Sequence, residues 1–414
     1  FATANTGGTT SYTWVNDTPS IGLAASGIED IASFTAVNLG TAPVIATITV
    51  TPIFKNGGVD CSGPTKTFTI TVNPTAQVNT IADQVVCNGS ATTTVTFATA
   101  NTGGTTSYTW VNDTPSIGLV ASGNGNIASF TAINNGTSPV IATITVTPTF
   151  NNGSVDCTGA AKTFTLTVNP TAQVNAITSQ VVCNGSATTA LTFATANTGG
   201  TTTYIWINDT ASIGLAGSGT GNIASFAAVN NGTSPVIATI SVTPTFNNGS
   251  MNCTGSTETF TITVNPTPIG VDQLKEICSG DTVNLPLTIN PLLAGTTFTY
   301  STPIVTGGIT GGSGRIIGST ADITDVLVNP TRFIQTATYT ITPKGPEGCI
   351  GQTFTVEITV DPTPFGVEET KTICSGDAVN VNLKTTPVFI GTTYTYPAPI
   401  VTGGITGGIS RLIG

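Results

Sequence analysis

The chain has no histidine, and only 7% of its 414 residues are charged, with 10 Lys+Arg against 20 Asp+Glu. An ordinary soluble domain carries about 25% charged residues. Without imidazole, and with acids so sparse, His-based triads, His-containing metal sites and general acid–base chemistry find no material. The residues therefore point away from an enzyme and call for no cofactor and no metal. The net charge of -10 leaves nothing to neutralise a row of phosphates, which argues against a nucleic-acid partner. No apolar run approaches the ~18 residues of a membrane span, and no basic segment follows Phe1, so no targeting segment is visible. Disorder is a poor reading too, because it goes with low hydrophobicity and 39% of these residues are hydrophobic. The dominant polar residue is Thr, which favours strands.

What the chain does have is a period. Phe1–Leu23 (FATANTGGTTSYTWVNDTPSIGL) recurs unchanged at Phe97–Leu119, and at Phe193–Leu215 with four differences, a step of 96 each time. A period of that length is a whole domain, not a solenoid unit. Each repeat closes on a strand running into an Asn/Asp-Pro step: TFTITVNPT (Thr67–Thr75), TFTLTVNPT (Thr163–Thr171), TFTITVNPT (Thr259–Thr267) and TFTVEITVDPT (Thr353–Thr363). Proline cannot continue a central strand. The boundaries expected from this are 1–74 (a partial repeat lacking its opening strand), 75–170, 171–266, 267–362 (divergent) and 363–414 (a partial repeat lacking its second half), as in a window on a longer chain.

Within 75–170, the runs Val95–Ala100, Ser107–Val111, Ile127–Asn134, Val140–Thr147 and Lys162–Val168 have period-two character between Gly, Asn and Pro. In Lys162–Val168, Phe164, Leu166 and Val168 alternate with Thr163, Thr165 and Thr167. That is a half-buried antiparallel pattern. About seven such strands in a repeat predict a β-sandwich of immunoglobulin-like size, and no stretch shows helical periodicity. The fold class expected is all-β: a tandem array of immunoglobulin-like β-sandwich domains forming an elongated rod, with an outer face built mainly of threonine.

The eight cysteines form two series, Cys61, Cys157, Cys253, Cys349 and Cys87, Cys183, Cys278, Cys374. If each bead folds alone, the pairs are Cys87–Cys157, Cys183–Cys253 and Cys278–Cys349, one per whole repeat, with Cys61 and Cys374 unpaired within the chain. The rival set joins Cys61 to Cys87 and so on, stapling neighbours. Either requires an oxidising compartment.

Trp14, Trp110 and Trp206 each lie two residues after a tyrosine. The pairs Tyr108/Trp110 and Tyr204/Trp206 could stack on sugar rings, but a core tryptophan packed over the disulfide is the favoured reading. Asp17, Asp113 and Asp209 follow asparagines and read as turn caps; the several oxygen ligands of a calcium site are not brought together. TGG and VTGGITGG have neither a following helix nor a Lys-Ser/Thr, so they read as hairpins, not phosphate loops.

The openings VCNGS or ICSGD, then TSYTWVNDTPSIGL or PIVTGGITGG, then TATYTITP, GCIG and the closing TFTITVNPT resemble the PKD-like repeats of giant cell-surface adhesins of gliding Bacteroidetes, the SprB-like family. The resemblance implies secretion by the type IX system and display on the bacterial outer cell surface, an extracellular location. It also implies a repetitive stalk mediating attachment to surfaces and gliding motility. Partners would be neighbouring repeats of the same chain, extracellular polysaccharide or an abiotic surface, and secretion and gliding machinery acting through other regions. A self-assembling extracellular filament or sheath, packing against other copies, is the alternative; a glycan-binding module is the third.

Overall fold

The computed structural model describes residues 1–414 except 154, 291, 320–321, 387, 389–390 and 411–414. The chain is all-β, a tandem array of β-sandwich repeats. It divides into two compact units. One comprises Phe1–Ala176 with Phe193–Trp206 and Val242–Glu258; the other comprises Ile177–Thr192, Ile207–Ser241 and Thr259–Gly414.

The second repeat, wholly in the first unit, shows the design. Its six-stranded sheet runs Gln84–Cys87, Lys162–Asn169, Val140–Asn151, Thr105–Asn112, Ser122–Asn124, with Asp156–Thr158 paired to the far end of Val140–Asn151. The opening strand Gln84–Cys87 adds parallel to the closing strand, placing Cys87 opposite Asn169; the other pairings are antiparallel. Alternation sends Ala142, Ile144, Val146, Phe164, Leu166 and Val168 inward, where they are fully or nearly fully buried. The outward positions pair Thr145 with Thr163, Thr143 with Thr165 and Thr109 with Thr147, so the face is hydroxyl on hydroxyl, as expected from the pattern.

The opposite layer is less regular than expected. Residues 91–100 and 127–134 meet only at isolated bridges, Val95 with Ile127 and Ala91 with Thr131. Side chains supplement the few backbone bonds between Val95 and Ile127, Thr92 and Phe130, and Ser90 and Ala132: Asn126 Oδ1 accepts from the Phe97 N–H at 2.9 Å, Thr92 Oγ1 accepts from the Phe130 N–H at 3.1 Å, and the Ser129 hydroxyl donates to the Thr92 carbonyl. Short polar side chains of this kind compete with strand pairing. The layer still covers the core with Val95, Phe97, Ile127 and Ala132.

Two buried asparagines fix the loops. Asn112 donates to the Leu119 carbonyl and accepts from the Thr114 N–H, closing the turn over the short 3₁₀ segment Pro115–Ile117. That segment ends at Gly118, whose φ of 95° belongs to the left-handed region. Asn134 bridges the Ser138 and Val168 carbonyls. Asn208 and Asn230 do the same in the third repeat.

The fourth repeat, wholly in the second unit, keeps the plan: Gln273–Cys278, Phe354–Asp361, Gln335–Lys344, Thr297–Tyr300, Arg315–Ser319. Tyr300 replaces the tryptophan and meets fully buried Tyr339 edge to face at 5.6 Å. In the last segment of the chain, Phe365–Gly366 pairs with Thr385–Thr386.

Candidate functional site: stapled joints between repeats

The intra-repeat disulfides are not what forms. The structure pairs Cys87 with Cys253 and Cys183 with Cys349, each across 166 residues and each between successive repeats. Cys61, Cys157, Cys278 and Cys374 are free. The expected Cys183–Cys253 pair and the rival Cys61–Cys87 are absent because Cys87 bonds Cys253, Cys183 bonds Cys349 and Cys61 is free; the expected pairs Cys87–Cys157 and Cys278–Cys349 fail on distance. Cys87 lies opposite Asn169, whose neighbour Val168 lies opposite Val140; Cys157 lies opposite Phe150. The two sulfurs therefore belong to opposite ends of the strand Val140–Asn151, about 30 Å apart at ~3.3 Å per residue. A disulfide needs Cα atoms within about 7 Å. Cys278 and Cys349 are separated in the same way, opposite Asp361 and beside the Lys344–Ile350 bridge. In the second to fourth repeats one cysteine series marks the exit end and the other marks the entry end. Cys253 belongs to the entry series, and the exit Cys87 of the repeat before it supplies the partner.

Around the bond the joint is built in detail. The Asn88 N–H donates to the Asn169 carbonyl at 2.9 Å, and Asn88 Nδ2 donates to Thr171 Oγ1 at 2.9 Å. Cys253 sits on the short strand Asn252–Thr254, paired with Phe246, and is 2% exposed. Asn248 Nδ2 donates to Asn169 Oδ1 at 2.7 Å, across the same joint. Nearby, the Thr198 N–H donates to the Thr137 carbonyl at 2.9 Å. Gly199 lies so close to Pro139 that an added Cβ would stand 2.9 Å from its ring. In the second unit, the Asn184 N–H donates to the Asn265 carbonyl, Thr267 Oγ1 donates to the Asn184 carbonyl, and Cys349 is 1% exposed. Closing a loop of 166 residues is worth about 5 kcal/mol by the chain-entropy estimate.

The remaining candidates are placed elsewhere. Trp14, Trp110 and Trp206 are 6–7% exposed, with Tyr204 equally buried and Tyr108 half-buried. Trp110 lies under Gly123, where an added Cβ would stand 2.3 Å from its ring, and donates from Nε1 to the Gly125 carbonyl. The tryptophans fill cores, away from any disulfide, and present no face to a sugar. Asp113 accepts from the Thr143 N–H and the Thr114 hydroxyl, both at 2.8 Å. Those bonds, the backbone one foremost, hold its carboxyl below the ordinary 3.8. Asp17 and Asp209 repeat the arrangement, so all three are turn anchors. Among the described residues, no group of three or more potential metal ligands is gathered, and no helix is long and apolar enough to cross a membrane.

Residues 275–364 match the PKD-like domain. That PKD-like stretch is the fourth repeat, where ICSGD, ATYTITP and GCIG stand. No curated protein matches the chain. Similar solved structures include the human desmocollin-1 ectodomain (14% identity, 91% of this chain and 80% of that one, TM-score 0.28). Another is mouse protocadherin-24 EC1-3 (12%, 70% and 100%, TM-score 0.31). Sidekick-1 immunoglobulin domains 1-5 give 11%, 85% and 74%, with a TM-score of 0.28. At these scores the fold rests on the chain's own sheets.

Proposed function

We propose that this chain is load-bearing stalk: a repetitive, disulfide-stapled segment of a secreted cell-surface adhesin that attaches to surfaces and serves gliding motility. The observation that carries the reading is the second covalent connection between successive repeats, Cys87–Cys253 and Cys183–Cys349. A bead that only had to be stable would close its disulfide on itself. A bond from the exit end of one repeat to the entry end of the next instead carries tension past the Asn-Pro-Thr step. The hydroxyl-covered, sparsely charged faces suit this role, since they resist nonspecific electrostatic sticking along the stalk. The PKD-like match of the fourth repeat and an extracellular, outer-surface location fit the oxidised cysteines. The domain limits are those of the 96-residue period. Attachment assays with cells expressing the parent protein test the reading. Cells carrying Cys87→Ser and Cys183→Ser together are expected to adhere at rest and to detach at lower shear than wild type; equal detachment would refute it.

A further inference from the structure

Each staple joins two repeats with six-stranded sheets, and both staples are asymmetric in the same way. The entry cysteines are closed off: Cys253 is 2% exposed and Cys349 1%. The segment linking the repeats packs against the same short hairpin. Gly255 lies so close to the Ala172 carbonyl that no Cβ would fit, and Gly351 meets the Pro268 carbonyl in the same way. The exit cysteines are partly exposed. Cys87 and Cys183 end the edge strands Gln84–Cys87 and Gln180–Cys183, which have a strand on one side only. Two joints, one in each compact unit, show one polarity.

The connectivity adds a condition of its own. Between Cys87 and its partner Cys253 stand Cys157 and Cys183. In an unfolded chain, loop-closure entropy would let Cys87 meet the nearer Cys157 about 4-fold more often than Cys253. Folding of the second repeat removes that choice, because it carries Cys87 and Cys157 to opposite ends of Val140–Asn151. Cys253 arrives only when the third repeat has formed Asn252–Thr254 and Asn248 has reached Asn169. The correct bond therefore belongs to folded repeats, and any earlier bond must be exchanged.

We infer that Cys87 and Cys183 are the exchange sulfurs of the staples, where a thiol–disulfide oxidoreductase engages this chain, and that Cys253 and Cys349 are the resolving thiols. An incoming thiolate must reach the sulfur it attacks, and the exit cysteine is the exposed member of each pair. The thiolate attacks Cys87 Sγ, the Cys87–Cys253 bond breaks, and Cys253 leaves as a thiolate that takes a proton from solvent. Closure is the reverse: the Cys253 thiolate attacks Cys87 Sγ and the incoming thiol is released. One disulfide replaces another, so no further oxidant or reductant is consumed. Because closing retraces opening, the same mixed disulfide on Cys87 precedes the finished staple. Cys183 and Cys349 follow the same course.

The test uses the full chain with its four free cysteines blocked by N-ethylmaleimide and its staples intact. Brief treatment with glutathione at neutral pH is quenched in acid and followed by peptide mapping with mass spectrometry. Glutathione should be found on Cys87 and Cys183 about 10-fold or more above Cys253 and Cys349. In guanidinium chloride the preference should vanish, because all four sulfurs are then open. A thioredoxin lacking its resolving cysteine should be captured on the same two exit residues. Equal labelling of both partners in the folded protein would overturn the proposal. So would capture of the thioredoxin on Cys253 or Cys349, or a preference that survives unfolding.

Discussion

Pulling the protein by its two ends should reveal how the staples are connected. The two 166-residue loops interleave, with Cys183 lying inside the first and Cys253 inside the second. The shortest covalent path from Cys87 to Cys349 crosses both bonds and the 70 residues between Cys183 and Cys253; with one bond intact it runs through 96 residues, and with neither through 262. At the chain's reach of about 3.3–3.6 Å per residue, Cys87→Ser and Cys183→Ser proteins should each extend roughly 90 Å further than wild type in single-molecule force spectroscopy. The double variant, or wild type in reductant, should extend roughly 660 Å further than wild type. Independent loops would behave additively, the double variant releasing only the sum of the two single increments. Additive increments, or no gain on full reduction, would refute the interleaved pairing.

Three further outcomes follow from the repeats themselves. Gly123→Ala sets a methyl against the Trp110 ring and should destabilise by about 1–3 kcal/mol, read as a lower denaturation midpoint with increased acrylamide quenching of tryptophan. Tyr339→Phe removes the hydroxyl that donates to Asp325 Oδ2 at 2.6 Å from a fully buried ring; the expected loss is about 1.5–3 kcal/mol for a bond to a charged group, measured by chemical denaturation. Asp17, Asp113 and Asp209 have folded pKa values below the ordinary 3.8, so their contribution is present above about pH 4 and lost as acid takes the pH below it. Melting temperature should fall on acidification through that range, and less steeply in the Asp113→Asn protein.

The strands Thr105–Asn112, Val140–Asn151 and Lys162–Asn169 could be read from alternation because each has one buried and one hydrated face, and alternation records that difference. The layer containing Val95 and Ile127 was legible only in part: its runs alternate, but the backbone bonds joining Val95 to Ile127 and Thr92 to Phe130 are interrupted by bonds to the Asn126 and Thr92 side chains, so no continuous ladder forms. The tryptophans were readable as core residues; the asparagines that hold the loops, Asn112 and Asn134, look in sequence like ordinary turn residues. The cysteine pairing was misread by treating sequence spacing as proximity. What the spacing lacked was the parallel placement of Gln84–Cys87 on the closing strand, which sends Cys87 to the exit end. The available signal was the position of Cys87 at the end of a short apolar run and of Cys157 beside a hairpin. Together these put the two sulfurs at opposite poles.

The crossed loops have a meaning for survival as well as for strength. Secreted proteins meet proteases, and exposed loop tips such as residues 249–250 are where a backbone is usually cut. In a simple string of domains, one cut severs everything beyond it. Here, between Cys87 and Cys349, every residue lies within at least one closed ring, and the two rings share the stretch from Cys183 to Cys253. A single hydrolysed peptide bond anywhere in that interval leaves the two sides covalently joined through sulfur. Only a second cut, correctly placed, or the arrival of a reductant would part them.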